Sequence, residues 1–248
     1  MSALKILIVL STPFFLFSQQ NLPYKMGEYT SYNISFEGIN VAFADIHIRK
    51  SILINKTPTF HIVAKAKTAS FFDLFFKVRD TYETYIDTSR LLPVKFYRDI
   101  QEGGHKKIQK YYFQHKKNKV YFKDTSRTIF ETTQDMLSAF FYARTFNSEN
   151  LNKETKFTVP VFMDEENFDL DILYLYNETL ETKIGNINCM VFKPIMQEGR
   201  VFEDGEQMKV WISDDNNRLL IKVETEIWAG TIKAEILSVK NTQQKYNQ

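Results

Sequence analysis

This chain has little that could staple it together or coordinate a ligand. Among 248 residues there is one cysteine, Cys189, so no internal disulfide can form and the fold must be held by its core. Cys189 lies in the apolar run Ile187–Phe192 and reads as a small buried hydrophobe, not a nucleophile. The four histidines, His47, His61, His105 and His115, show no HExxH or other metal-ligand spacing. His47 and His61 read as cross-strand neighbours on the polar face of a first hairpin, and no metal or cofactor is predicted. The 8 glycines supply isolated turns, among them Gly38, Gly103-Gly104, Gly199 and Gly205, and no GxxxxGK[ST], GxGxxG or GxSxG motif. A surplus of one charge is missing too. The net charge is +2, which excludes a nucleic-acid partner of the usual basic kind. Beyond the N-terminus no apolar run is long enough for a membrane-spanning helix.

What is present begins with residues 1–18, MSALKILIVLSTPFFLFS. Lys5, the apolar run Ile6–Leu10, then Pro13 and further apolar residues before Gln19-Gln20-Asn21 follow the order of a secretory signal peptide. Cleavage is predicted after Ser18, which removes Lys5 and no acid and leaves a net charge of +1. The chain is therefore expected to be exported, with residues 19–248 forming one β-rich domain. No cysteine follows the signal, so a lipid-modified N-terminal cysteine is excluded.

Past residue 22, most segments alternate apolar and polar side chains and are rich in Tyr, Phe, Val, Ile and Thr, the pattern of half-buried strands. In Val41–Lys50 one face carries Ala42, Ala44, Ile46 and Ile48, and in Thr59–Lys67 one face carries Phe60, Ile62, Ala64 and Ala66. Asn55–Pro58, Glu37-Gly38, Glu102-Gly103-Gly104 and Gly185-Asn186 punctuate the strands. In the second half, Phe168–Tyr176 and Glu178–Ile184 read as two strands. About a dozen strands joined by short turns predict an all-β antiparallel meander, a curved sheet or open barrel. With 44% hydrophobic and 15% aromatic residues, it has material for a core. The basic stretch His105–Lys119 reads as the solvated face and turn of a hairpin. Asp164, Glu165, Glu166, Asp169 and Asp171 lack the spacing of a calcium loop and read as a solvated turn.

One segment breaks the pattern. Thr133–Phe146 places Met136, Leu137, Phe140, Phe141 and Arg144 on a helical stripe, with Thr132 and Asp135 as a near capping box. This predicts one main helix joining two β halves. A second unusual stretch, Thr68–Lys77, carries Phe71, Phe72, Phe75 and Phe76 within six residues. It reads either as a core-plugging turn or as an apolar lip over a cavity.

Several phrases in order resemble a known family. They are Gly27-Glu28-Tyr29; Val78-Arg79-Asp80 with Tyr82-Glu83; Gln134–Phe140 closing with Arg144; Val210–Asp214 with Arg218; and Gly230 before Ala234-Glu235. The ordered set is similar to the bacterial exported family called domain of unknown function 3108, over nearly all of the mature chain. The resemblance implies a β-rich envelope protein and carries over no catalytic residue. Asp135 and Arg144 can cap and end the helix. Arg79 and Asp80 point to opposite faces of a strand, so one of them can face inward toward Asp135 or Arg144.

Three functions are compatible with this reading. The first is non-enzymatic binding of an apolar or lipid-like molecule, with Phe71, Phe72, Phe75 and Phe76 as the expected contacts and Arg79, Asp80, Asp135 and Arg144 as a polar site or structural motif. The second is an interaction protein with a solid core and an envelope partner. The third is an envelope hydrolase, which two carboxylates converging in a cleft would favour. An outer-membrane barrel is disfavoured, because charges lie on most strands and a helix interrupts the series.

Overall fold

The computed structural model of the chain describes residues 22–195 and 207–246. The predicted signal segment with its cleavage point, and Gly199 and Gly205, lie outside the described residues. Among the described residues, fifteen strands occur in chain order: β1 (Tyr29–Phe36), β2 (Ile39–Ile48), β3 (Ile52–Ile54), β4 (Thr57–Thr68), β5 (Arg79–Asp87), β6 (Pro93–Glu102), β7 (His105–Gln114), β8 (Lys119–Phe122) and β9 (Thr125–Thr128) precede their one α-helix, α1 (Met136–Ala143). After it come β10 (Lys156–Met163), β11 (Glu166–Thr182), β12 (Gly185–Ile195), β13 (Gln207–Ser213), β14 (Leu220–Ile227) and β15 (Gly230–Lys240). All join one curved antiparallel sheet in the order β10-β11-β12-β13-β14-β15-β1-β2-β4-β5-β6-β7-β8-β9, with β3 on β4. The all-β meander with one helix between two β halves is what the alternation predicted. The halves are joined where β15 pairs with β1.

The sheet is open, yet its two ends meet through side chains. Phe162 of β10 packs into the aromatic cluster of the first half, with ring centroids 5.0 Å from Tyr111 and 5.6 Å from Phe122. The β10–β11 turn is Asp164-Glu165, both at positive φ, the two-residue geometry that matches strand twist but usually takes Asn or Gly. Here the acids are held by charge. Asp164 accepts from Arg98 and Lys107, and Glu165 pairs with Lys123 at 2.7 Å. Burial opposes the charge on Asp164, but Lys107 and Arg98 outweigh it and hold the carboxyl below its usual range. This corrects the solvated-turn reading: the acidic run latches the basic hairpin strands, and so closes the curve.

Four other details differ from the sequence reading. The helix begins at Met136, because the capping box is Asp135 with Ser138, not Thr132 with Asp135. β11 runs unbroken through Tyr176-Asn177, the expected break being a register shift between Tyr174 and Tyr176, since a bulge absorbs an extra residue without ending the strand. His115 is buried in the turn after β7 and bonds the Pro93 carbonyl at 2.8 Å. His47 pairs with Val63 across the strands, while His61 stacks on Tyr85 and bonds Glu83. Cys189 is fully buried, and burial pushes its thiol up to about 12.

Candidate functional site

Before α1 the chain runs beside β10. Gln134 N–H donates to the Pro160 carbonyl and Phe162 N–H to the Gln134 carbonyl, each at 2.8 Å. This fixes where the helix starts. Its N-cap, Asp135, is fully buried and accepts from the Leu137 and Ser138 amides at 2.9 and 2.8 Å, while the Thr84 hydroxyl of β5 donates to its other oxygen at 2.6 Å. Burial raises the Asp135 carboxyl to about 6 against these hydrogen bonds. One network therefore satisfies the first-turn amides and ties the helix to the sheet.

The other end of α1 is tied by Arg144. Its guanidinium is buried and forms a two-pronged ion pair with Glu28, at 2.6 and 3.1 Å, and also donates to the Asn217 carbonyl at 2.6 Å and the Pro23 carbonyl. It also lies over the rings of Tyr24 and Phe141, 5.1 and 5.2 Å from their centroids. Fork-to-carboxylate geometry of this kind is directional as well as strong. The N-terminal segment, the helix end and the β13–β14 turn thus converge on one charge pair.

Held at both ends, α1 divides its side chains. Leu137 and Phe141 join the aromatic core beneath β4–β8. Met136 and Ala143 instead face a cavity of about 320 Å³ between the helix and β10–β13, and Phe140, packed against the core, also borders it. Phe157 and Val161 of β10, Leu170 and Ile172 of β11, Met190 and Phe192 of β12, and Val210 and Ile212 of β13 complete its walls. On each strand these alternate with residues on the opposite face: Ile187, Cys189, Val191 and Trp211 belong to a separate closed core. β12 is therefore apolar on both faces. Four of the 7 methionines, Met136, Met163, Met190 and Met208, line the cavity, and methionine is the most adaptable of the apolar side chains. A polar pocket of about 310 Å³ lies alongside, lined by Thr145, Asn216, Gln243 and Gln244 among others. Arg144 and Arg218 line both spaces.

The residues expected from the sequence are not gathered here. Phe72–Leu74 is a short 3-10 turn, and Phe71, Leu74, Phe75 and Phe76 are exposed, Leu74 at 82% and Phe75 at 76%. None of the phenylalanines of that turn lines the α1 cavity. Phe76 covers Gly103, where a Cβ would lie 2.9 Å from its ring and where φ is +57°. Arg79 pairs with Asp73 at 2.5 Å and pins this turn. Of Arg79 and Asp80, Asp80 is the buried one, and it accepts from the Gln101 amide at 3.0 Å, not from Arg144. Burial and Asp80 together raise the neighbouring Glu102 carboxyl; neither acid lines the cavity. Arg79, Asp80, Asp135 and Arg144 are thus separate structural contacts, and only Arg144 reaches the cavity. The signal for the cavity was in the sequence: Cys189–Phe192 and Val159–Met163 are unbroken apolar runs, the mark of strands covered on both faces.

Among the described residues, no helix is long and apolar enough to cross a membrane, and no group of three candidate metal ligands occurs. Comparison with solved structures gives a β-barrel-like protein of domain of unknown function DUF1849 from Brucella abortus, with TM-score 0.51, 8% identity, and coverage of 88% of this chain and 98% of that one. A candidate lipoprotein from Parabacteroides distasonis gives TM-score 0.42 at 10% identity, covering 89% of this chain and 98% of that one. A candidate exported protein with a YmcC-like fold from Bacteroides fragilis gives 0.38 at 8% identity, with the same coverages. At such identities the first likeness shows a shared fold. No curated protein sequence matches. A family profile described as "Protein of unknown function (DUF3108)" matches residues 31–237.

Proposed function

The chain belongs to the DUF3108 family, whose profile spans most of its length, and from that premise we propose that it is an exported envelope protein that binds an apolar, lipid-like molecule between α1 and β10–β13. The observation that carries this is the cavity: about 320 Å³, walled almost wholly by apolar side chains and rich in methionine. Its volume falls within the roughly 300–1,000 Å³ range of small-molecule sites. A folded chain gains by filling such space. Lipid extraction of natively purified protein followed by mass spectrometry tests the reading, with N-phenyl-1-naphthylamine fluorescence as a direct assay. The expected result is a co-purifying lipid, saturable dye binding, and loss of both in Ala143→Phe. Dye binding that survives the substitution, with no lipid on the wild type, overturns it. Export is tested by peptide mapping of the envelope fraction, where a mature N-terminus at Gln19 is expected.

A separate observation favours a second role. Phe71, Leu74, Phe75 and Phe76 are exposed together on a turn pinned by Arg79 and Asp73, and an apolar patch of that kind marks a contact surface. In this reading the turn rests on a lipid surface. Flotation with phosphatidylethanolamine–phosphatidylglycerol vesicles should be lost in Phe71→Ser/Phe75→Ser at an unchanged unfolding midpoint; unfolding of that variant, or undiminished flotation, rules it out.

A further inference from the structure

Resting on the cavity as a ligand site, we propose that the ligand is a single-chain amphiphile with an anionic head, held at Arg218 with its hydrocarbon chain along α1. Two spaces of different character meet here, one of about 320 Å³ with apolar walls and one of about 310 Å³ lined mostly by polar side chains, with Leu22 and Pro23 at its edge. Arg144 and Arg218 stand at the junction. Their charges are in different states. Arg144 is answered by Glu28 and leaves no net charge for a ligand.

Arg218 has no such partner. Its guanidinium donates to the Phe146 carbonyl, and among the described residues no ion pair to it is formed. The nearest acid in the turn, Asp215, is already engaged by the Asn217 and Arg218 amides, the Ser213 hydroxyl and the Tyr246 hydroxyl. Arg218 itself sits at φ +46°, a left-handed position that an arginine rarely takes. The Asp215 turn holds it there, which directs the side chain to the helix end. A half-buried cation beside an apolar cavity matches an anion whose tail is apolar, because head and tail then enter environments that each favour them. A cavity at the small end of the known range suits one chain. Carboxylate and phosphate heads share this chemistry.

The delipidated mature chain is titrated with palmitic acid, hexadecyl phosphate and 1-hexadecanol by calorimetry. The anions should bind at least about tenfold more tightly than the alcohol, the scale of a hydrogen bond to a charged group. Arg218→Gln should erase that difference while leaving hexadecanol affinity unchanged, and Arg218→Lys should restore part of it. Whichever anion binds more tightly identifies the head. Equal binding of acid and alcohol by the wild type, or a preference that survives in Arg218→Gln, overturns the inference and leaves the apolar site standing. If no probe binds, the cavity reading fails with it.

Discussion

β10 separates two apolar spaces that are finished in opposite ways. On one face Phe162 enters a cluster with Phe96, Tyr111, Phe113, Phe122 and Phe141, all buried and packed ring against ring. On the other face Val161 and Met163 border an open cavity. Both spaces are apolar, both are lined by the same strand, and both touch α1. The difference lies in the shape of their side chains. Rigid aromatic rings interlock at fixed edge-to-face angles and exclude voids. Around the cavity Phe140, Phe146, Phe157, Phe168 and Phe192 share the walls with Met136, Met163, Met190 and Met208, and these adaptable thioether side chains leave space that a flexible guest can fill. The helix presents Phe141 to the core, and Phe140 with the small Ala139 and Ala143 to the cavity.

The contrast is sharpest in truncation. Phe162→Ala should cost about 3–5 kcal/mol of stability, because it empties a close-packed site. Phe192→Ala, on the cavity wall, should cost only about 1 kcal/mol, since it enlarges space already open. Denaturant unfolding of both variants measures the gap, and equal losses would show that the two spaces are packed alike.

The anchors of the helix come next. Glu28→Gln leaves Arg144 buried without its counter-charge, a loss of about 3 kcal/mol or more, and it should loosen the cavity wall along with the fold. Hydrogen exchange should then rise in α1 first.

At Asp135 the effect depends on pH. The folded-state value of about 6 lies above the ordinary carboxylate value, so the native state holds this proton more tightly than the unfolded chain. Its contribution is therefore fully present below about pH 4 and is lost as pH rises through about 6. Other carboxylates act in the opposite sense, Asp73 among them, so the informative quantity is the difference from Asp135→Asn. Wild-type stability minus that of the variant should fall between pH 4 and 7 by on the order of 2–3 kcal/mol. A flat difference would show that the cap is ionised throughout.

The smallest change in stability is expected from Ala143→Phe, less than about 1 kcal/mol, because the new ring enters the cavity and displaces no packed atom. Its effect on binding should be complete. A large loss of stability would mean that the wall is as tightly packed as the core.

Much of the sheet was legible in the chain. The alternation in β1, β2 and β4 placed the inward faces, the Glu37-Gly38 turn placed the first hairpin, and Asp135 and Arg144 marked the helix ends; the Asn55-Lys56 turn, expected between β2 and β4, instead joins the short β3 to β4. The exposed phenylalanine turn was misleading as a cavity lip. Aromatic density in a short segment signals burial or contact, and the segment alone does not say which. The acidic β10–β11 turn looked solvated because its partners, Arg98, Lys107 and Lys123, come from 42 to 66 residues away in sequence.

By itself, the sequence determined the local geometry of this protein: strand period, turn chemistry, helix caps, an inert thiol and the lack of a disulfide or a metal-ligand motif. These depend on neighbours within a few residues, where φ/ψ preferences and side-chain spacing act directly. Only the tertiary structure decided where the open space lies and which arginine borders it without a counter-charge. The cavity draws on α1, four strands and a turn from Met136 to Arg218. Whether their apolar faces interlock or leave a gap is set by strand order, by the latch at Asp164 and by the ends of one short helix. No local pattern encodes the volume left between surfaces that meet only after folding.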